Sequence, residues 1–109
     1  MRQYEIRWAM LPDPVGRRAV LLLSRTPSYQ YLAKVIVVPI TSRIRGIQQE
    51  VPLGAREGLD RPCVASLDNI QVVPLACLGE RIGRLADPRQ GEVKRALGHA
   101  LDWPELRDA

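Results

Sequence analysis

The 109 residues of this chain suffice for one domain with a modest core and leave little room for a second. Hydrophobic residues at 46% and charged residues at 26% exclude a disordered chain, and no apolar run nears the roughly 20 residues of a membrane-spanning helix. Sixteen Lys and Arg against twelve Asp and Glu leave a formal charge of +4, which is compatible with a polyanionic partner. Fourteen of the sixteen cations are Arg, whose planar fork of donors fits phosphate better than the point charge of Lys. Aromatic residues are only 5%, with no Phe, a poor endowment for stacking nucleic-acid bases.

The N-terminus, Met1-Arg2-Gln3-Tyr4-Glu5-Ile6, enters a polar/apolar alternation at once, without the apolar stretch of a signal peptide. The chain is therefore expected to stay in the cytoplasm. Residues 4–11 read as a first strand, with Tyr4, Ile6, Trp8 and Met10 on one side and Glu5 and Arg7 on the other. Asp13-Pro14-Val15-Gly16 is a turn, Pro fixing φ and Gly supplying freedom. Residues 19–24 follow as a strand whose unbroken apolar character predicts burial on both faces. Residues 26–32 are a polar and aromatic loop, in which Tyr29 and Tyr31 are expected to pack rather than to stack a base.

Residues 34–41 are a third strand rich in β-branched side chains, with Pro39 at a bulge or an unpaired edge position. Residues 49–53 are a short strand with Val51 and Leu53 on one face. A loop at 54–62 leads to segments 63–67 and 70–73, a strand pair or one bent strand. A helix begins with Asp87 as N-cap, Pro88 at the first helical position and Gln90 placed for a capping box. Val93, Ala96, Leu97, Ala100 and Leu101 then form one apolar stripe. Pro104 is expected to end that helix, leaving 103–109 as a loosely ordered tail. Cys63 and Cys77 are too few for a disulfide framework and lack zinc-site spacing, so both are expected as reduced, mostly buried thiols. The pattern predicts a single, mainly β domain over 1–109, a small half-open barrel with one amphipathic helix packed on it.

Three motifs carry a resemblance to a known family. Gly16-Arg17-Arg18-Ala19-Val20 is similar to the Gly-x-Arg-Pro-Val strand start of the MazF/PemK toxins. Val37-Val38-Pro39-Ile40-Thr41-Ser42-Arg43-Ile44-Arg45 is similar to their "VxPITSxI" strand end, and Ser66-Leu67-Asp68-Asn69-Ile70-Gln71-Val72-Val73 to their "LDQIRTI" segment. Glu50-Val51-Pro52-Leu53 and Arg81-Ile82-Gly83-Arg84-Leu85 match in character and order, so that the resemblance covers nearly the whole chain. It implies an SH3-like small barrel of the MazF/CcdB type, a homodimer, and the toxin of a type II toxin–antitoxin system. It further implies a metal-independent endoribonuclease with no cofactor, which cuts single-stranded RNA through the RNA's own 2′-hydroxyl. The products would carry 2′,3′-cyclic phosphate and 5′-hydroxyl ends. The implied protein partner is a cognate antitoxin whose acidic, disordered tail folds into the RNA groove.

Attack by a 2′-hydroxyl builds negative charge on the phosphate oxygens, so donors must already be in place there, together with groups that move protons. A pair of histidines is excluded within one subunit, because His99 is the only one and falls inside the helix. By the resemblance, Arg18 and Thr41 occupy catalytic positions. Arg18 would neutralise the phosphate and Thr41 would donate a hydrogen bond; a guanidinium has no acceptor lone pair to serve as a literal base. Asp68 matches an acidic position and reads equally as a base or as the turn residue of Asp68-Asn69. Arg17, Ser42, Arg43 and Arg45 are the candidate RNA-binding residues, Arg43 and Arg45 reading equally as a solvated basic edge.

The sequence departs from the family in an abbreviated first loop, in Ala19 after the Arg, and in Asn69-Ile70-Gln71-Val72 where Gln-Ile-Arg-Thr is usual. Two alternatives keep the fold without the chemistry. One is a CcdB-like toxin that binds DNA gyrase, with Trp103 as sole aromatic anchor, although Trp103 is expected to cap the barrel beside the helix. The other is a weakened member that only dimerises and binds antitoxin.

Overall fold

Three strands of β-branched and aliphatic residues form the centre of the sheet: β1 (Glu5–Leu11), β2 (Gly16–Leu22) and β3 (Lys34–Thr41), all antiparallel. A computed structural model describes residues 1–109. The outer strands are β4 (Glu50–Leu53), β5 (Cys63–Ser66), β6 (Gln71–Pro74) and β7 (Leu78–Arg84). Their order is β4-β5-β3-β2-β1-β7, with β6 also on β3, and the sheet curls into a half-barrel. Helix α1 (Gln90–Leu101) lies on it, followed by the short α2 (Pro104–Arg107). The mainly β barrel with a C-terminal helix is the architecture the sequence predicts.

Both faces of the central strands are covered, so their side chains alternate between two cores. Ile6, Ala19, Leu21, Val38 and Ile40 join the first core, which α1 closes with Val93 and Ala96. Ala9, Leu11, Val20, Leu22, Val35 and Val37 join the second, with Tyr29 and Val73. The apolar run of β2 is buried on both faces, as expected. The one-sided reading of β1 is corrected. Ala9 and Leu11 are buried on the face assigned to polar residues, whereas Met10 is 61% exposed beside the turn of the hairpin.

β3 pairs with β6 through residues 34–37 and with β5 through residues 40–41 along one edge. Pro39 sits between these two pairings, where a residue without an N–H leaves no ladder partner unsatisfied. Val51 and Leu53 of β4 are buried together, and β5 and β6 are separate strands joined by a turn at Leu67–Asn69. Tyr29 packs in the second core, but Tyr31 is exposed and is held only by Arg25, which donates to its hydroxyl at 3.0 Å.

The helix start also differs from expectation. Asp87–Arg89 form a 3₁₀ turn, and the Asp87 carboxylate accepts from Arg84 (2.6 Å) and Gln90 Nε2 (3.1 Å) rather than capping backbone N–H groups. At the other end Leu101 is exposed, and Asp102 closes α1 in the left-handed conformation at φ +50°. Pro104 does not end α1; it opens α2, where its fixed φ suits a first helical position. Residues 103–107 fold back because Gly98, lacking a Cβ, lets the Arg107 backbone approach α1 closely. The Trp103 N–H donates to the Gly98 carbonyl at 2.8 Å, but its ring is 49% exposed and caps nothing.

One buried carboxylate ties the two ends of the sheet edge together. Glu5 accepts from the Arg2 N–H (3.0 Å), Arg7 Nε (3.1 Å) and Arg81 Nε (3.1 Å). Burial by itself would raise the Glu5 pKa, but the Arg2 and Arg7 donors and the Arg7 charge hold it below its ordinary 4.5. A depressed folded-state pKa contributes stability that is present above the unfolded value and is lost as pH falls through the folded one. Urea unfolding between pH 7 and pH 3 should therefore show a loss of stability below about pH 4.5. Glu5→Gln should flatten that slope and cost about 1–3 kcal/mol at pH 7.

Candidate active site

The register of β2 and β3 decides what faces what at the end of the barrel. Val20 pairs with Pro39, Leu21 with Val38 and Leu22 with Val37. Carried two residues further, that register sets Arg18 opposite Thr41, and opposed residues of an antiparallel pair share a face. Both side chains stand half-buried where the ladder opens. The Thr41 hydroxyl accepts the Arg43 N–H at 3.1 Å, which turns the chain out of β3 and leaves the hydroxyl proton free to be donated elsewhere.

Arg18 and Thr41 line a polar cleft of about 220 Å³ together with Arg43, Arg45, Ser66 and Asp68, with no hydrophobic residue in its walls. Arg18, Arg43 and Arg45 form no salt bridge, whereas Arg7, Arg81, Arg84, Arg89 and Arg107 all do. Arg43 and Arg45 belong to the exposed loop 42–49, which Glu50 fastens by accepting the N–H groups of Arg45 (3.1 Å) and Gly46 (2.9 Å). Gly46 takes φ +74° to make that curl. Asp68 is exposed on the 3₁₀ turn after β5, a turn pinned by buried Leu67, whose N–H donates to the Gln49 carbonyl at 2.9 Å. It is thus both a turn residue and a wall of the cleft. With Glu50 as a second carboxylate in its wall, this polar cleft offers an anion three cations, a hydroxyl donor and a carboxylate able to take a proton.

On the opposite face a second cleft of about 410 Å³ begins at the same two residues. Arg17 and Ser42 border it, with Trp8, Ile40 and Leu59 as its apolar wall and Asp60 and Arg61 at its rim. The Arg17 guanidinium lies 3.9 Å from the centroid of the Trp8 ring. All the residues predicted from sequence thus gather around one end of the barrel, divided between these two clefts, and Arg18 and Asp68 also border a third of about 410 Å³ with Leu11, Val15 and Ile70. Sequence reasoning missed Trp8, Leu59, Asp60, Arg61, Ser66 and Asn69 as wall residues. For Trp8 the signal was present in its place on the strand paired with β2; for the loop residues there was none.

Loop 54–62 supplies the far wall of the larger cleft. Its buried Glu57 accepts the Gly54 N–H at 2.7 Å and pairs with Arg89 at 3.3 Å. Arg89 is also bonded to Glu92 and to the Pro52 carbonyl. Gly83 of β7 lies directly beneath the Glu57 carbonyl, where a Cβ would collide with backbone. Cys63 lines the same cleft, and burial pushes its thiol up, so it is held as a protonated wall atom rather than a nucleophile. His99 and both loop tyrosines line neither cleft.

A small curled β-barrel with a C-terminal helix and a polar, arginine-bearing cleft at one end defines the class of protein. The sequence pattern of the PemK-like, MazF-like toxins of type II toxin–antitoxin systems matches residues 2–101, and the chain belongs to that family. It is 42% identical over 88 residues to the Mycobacterium tuberculosis protein named Endoribonuclease MazF3, covering 79% of this chain and 85% of that one. It is 36% identical over 99 residues to the probable endoribonuclease MazF5 of the same species, covering 90% of each. Among solved structures, the Mycobacterium tuberculosis toxin MazF-mt6 superposes with a TM-score of 0.85 at 39% identity, over 90% of this chain and 96% of that one. A mycobacterial endoribonuclease in complex with its cognate antitoxin shares the fold at a TM-score of 0.82, over 95% of this chain and 97% of that one at 23% identity.

Gly83→Ala should push the 54–62 wall out of place. Overpacking of this kind costs about 1–3 kcal/mol, which thermal unfolding would register as a Tm lower by roughly 4–8 °C per kcal/mol.

Proposed function

We propose that this chain is the endoribonuclease toxin of a type II toxin–antitoxin pair, cutting single-stranded RNA by attack of the RNA's 2′-hydroxyl on the adjacent phosphate. The observation that carries this reading is that Arg18 and Thr41 line one cleft that has no hydrophobic wall, with no salt bridge to Arg18. Arg18 neutralises the charge that grows on the phosphate oxygens, and the free Thr41 proton is donated to one of them. Asp68 takes the proton of the attacking 2′-hydroxyl. The new O–P bond closes the 2′,3′-cyclic phosphate, the P–O5′ bond breaks, and a proton returns to the departing 5′-oxygen. Nothing in these steps calls for a metal ion. Arg17, Ser42, Arg43 and Arg45 hold the neighbouring RNA.

The relatives named as endoribonucleases and the neighbour solved with its antitoxin support the same assignment. An acidic antitoxin tail would fill the cationic cleft and compete with RNA, with a steep dependence on salt. A homodimer is supported by the outer face of β3 and β6, where Ile36 opposes Val72 and the two are 41% and 62% exposed.

Purified protein incubated with a long single-stranded RNA in EDTA should give discrete cuts with 5′-hydroxyl ends. Arg18→Ala should lower the rate by about 10²–10³, with circular dichroism unchanged. A folded wild-type protein that arrests growth and cuts no RNA would sink the nuclease reading and favour a toxin that poisons gyrase by binding. Asp68→Asn should lower the rate by about 10²–10⁴; an unchanged rate would leave Asp68 as a turn residue only.

A further inference from the structure

Arg18 and Thr41 border two concavities whose walls differ in chemistry. The smaller has no hydrophobic lining and three unpaired guanidinium groups. The larger presents Trp8, Ile40 and Leu59, with Arg17 stacked on Trp8 and an acid, Asp60, at its rim. The division follows from strand geometry. Successive residues point to opposite faces, so Arg17 and Ser42 go with the Trp8 side while Arg18 and Thr41 go with the polar side. Trp8 pairs with Ala19, which makes Arg17 its diagonal neighbour and places the guanidinium over the ring.

A nucleotide has the same two parts: a charged backbone and a planar base with apolar faces. The geometry points to the larger cleft as a nucleobase subsite, in which one base beside the scissile phosphate lies against the Trp8–Arg17 stack with its edge toward Asp60. This rests on the nuclease reading and deepens it, making Trp8 and Asp60 specificity-determining residues that touch substrate. Phosphate alone would meet Arg17, Arg18 and Arg61 here but would leave the Trp8, Ile40 and Leu59 wall without a partner. A base suits it, because every base has a π-face for the ring and the guanidinium. The Asp60 carboxylate, held at 3.5 Å from Arg61 and largely exposed, is an acceptor for a base N–H.

The test uses a short oligoribonucleotide spanning a mapped cleavage site, with 2′-deoxy at the scissile nucleotide so that it binds without being cut. Versions of it carry an abasic nucleotide at each flanking position in turn. Trp103→Phe leaves Trp8 as the only tryptophan, and binding should quench its fluorescence. At one flanking position the abasic change should restore the emission and weaken binding about 5- to 150-fold. In Trp8→Ala that same change should cost less than about 2-fold, since the stacking partner is already gone. Asp60→Asn, at an exposed site that cannot unfold the barrel, should alter which base is tolerated at that position. Penalties that simply add, with no position coupled to Trp8, overturn the subsite. A Trp8→Ala protein that binds and cuts as wild type does also overturns it and leaves the cleft to a protein side chain. Failure of the wild type to cut any RNA would instead strike the nuclease reading, so the two failures are distinguishable.

Discussion

The antiparallel register of β2 on β3 is the constraint from which the rest of the molecule follows. Both faces of these strands are buried, so a slip of one residue would exchange the two cores and drive Arg18 toward apolar packing. The cost of such a slip, spread over Val20, Leu21, Leu22, Val37 and Val38, greatly exceeds anything the cleft itself contributes. Arg18 and Thr41 are thus held opposite each other by aliphatic side chains that never touch the site. The position of Pro39 reinforces this, since a residue without an N–H is best accommodated where β3 passes from β6 to β5.

The arginines sort into two populations by the same logic. Arg7 and Arg81 close on Glu5, Arg89 on Glu57 and Glu92, and Arg107 on Asp102 and Asp108; these fasten segments distant in sequence or trim the helix ends. Arg18, Arg43 and Arg45 have no such partner, and they stand together. The polar cleft thus gathers three guanidinium groups that form no salt bridge, beside the carboxylates of Asp68 and Glu50. A polyanion entering the cleft therefore meets donors that need not first be released from carboxylates.

Much of this was legible in the sequence. The unbroken apolar run in β2 announced two-sided burial, and the β-branched run of β3 announced a strand with the observed bounds, Lys34–Thr41. The gathering of Arg18, Thr41 and Asp68 was readable only through the family resemblance, because each alone is an ordinary strand-end or turn residue. What escaped lay where side chains answer to distant partners. β1 alternates well for one face, but Tyr29 and the segment after β6, with Leu75 and Cys77, belong to the core on its other face, so Ala9 and Leu11 are core and Met10 is not. β7, with Gly79 and Gly83 interrupting it, carries no clear period, and its glycine at 83 exists for a contact with loop 54–62. Pro104 was read as a stop because proline ends helices; here the glycine at 98 allows it to start another one packed against the first.

The two supports of the polar cleft suit two different tasks. Arg18 and Thr41 sit on strands whose neighbours are close-packed, so their positions are fixed before any ligand arrives, which is what stabilising a developing charge requires. Arg43 and Arg45 ride on an exposed loop tied down chiefly through the Glu50 carboxylate, with Ile44 and Ile47 left in solvent. A loop anchored at one carboxylate can shift without disturbing the sheet, so its guanidinium groups can follow a backbone whose path varies from one RNA to another. In the proposed reaction, rigid donors at the phosphate and adaptable ones beside it would let one site act on one bond while gripping flanking nucleotides of different conformation.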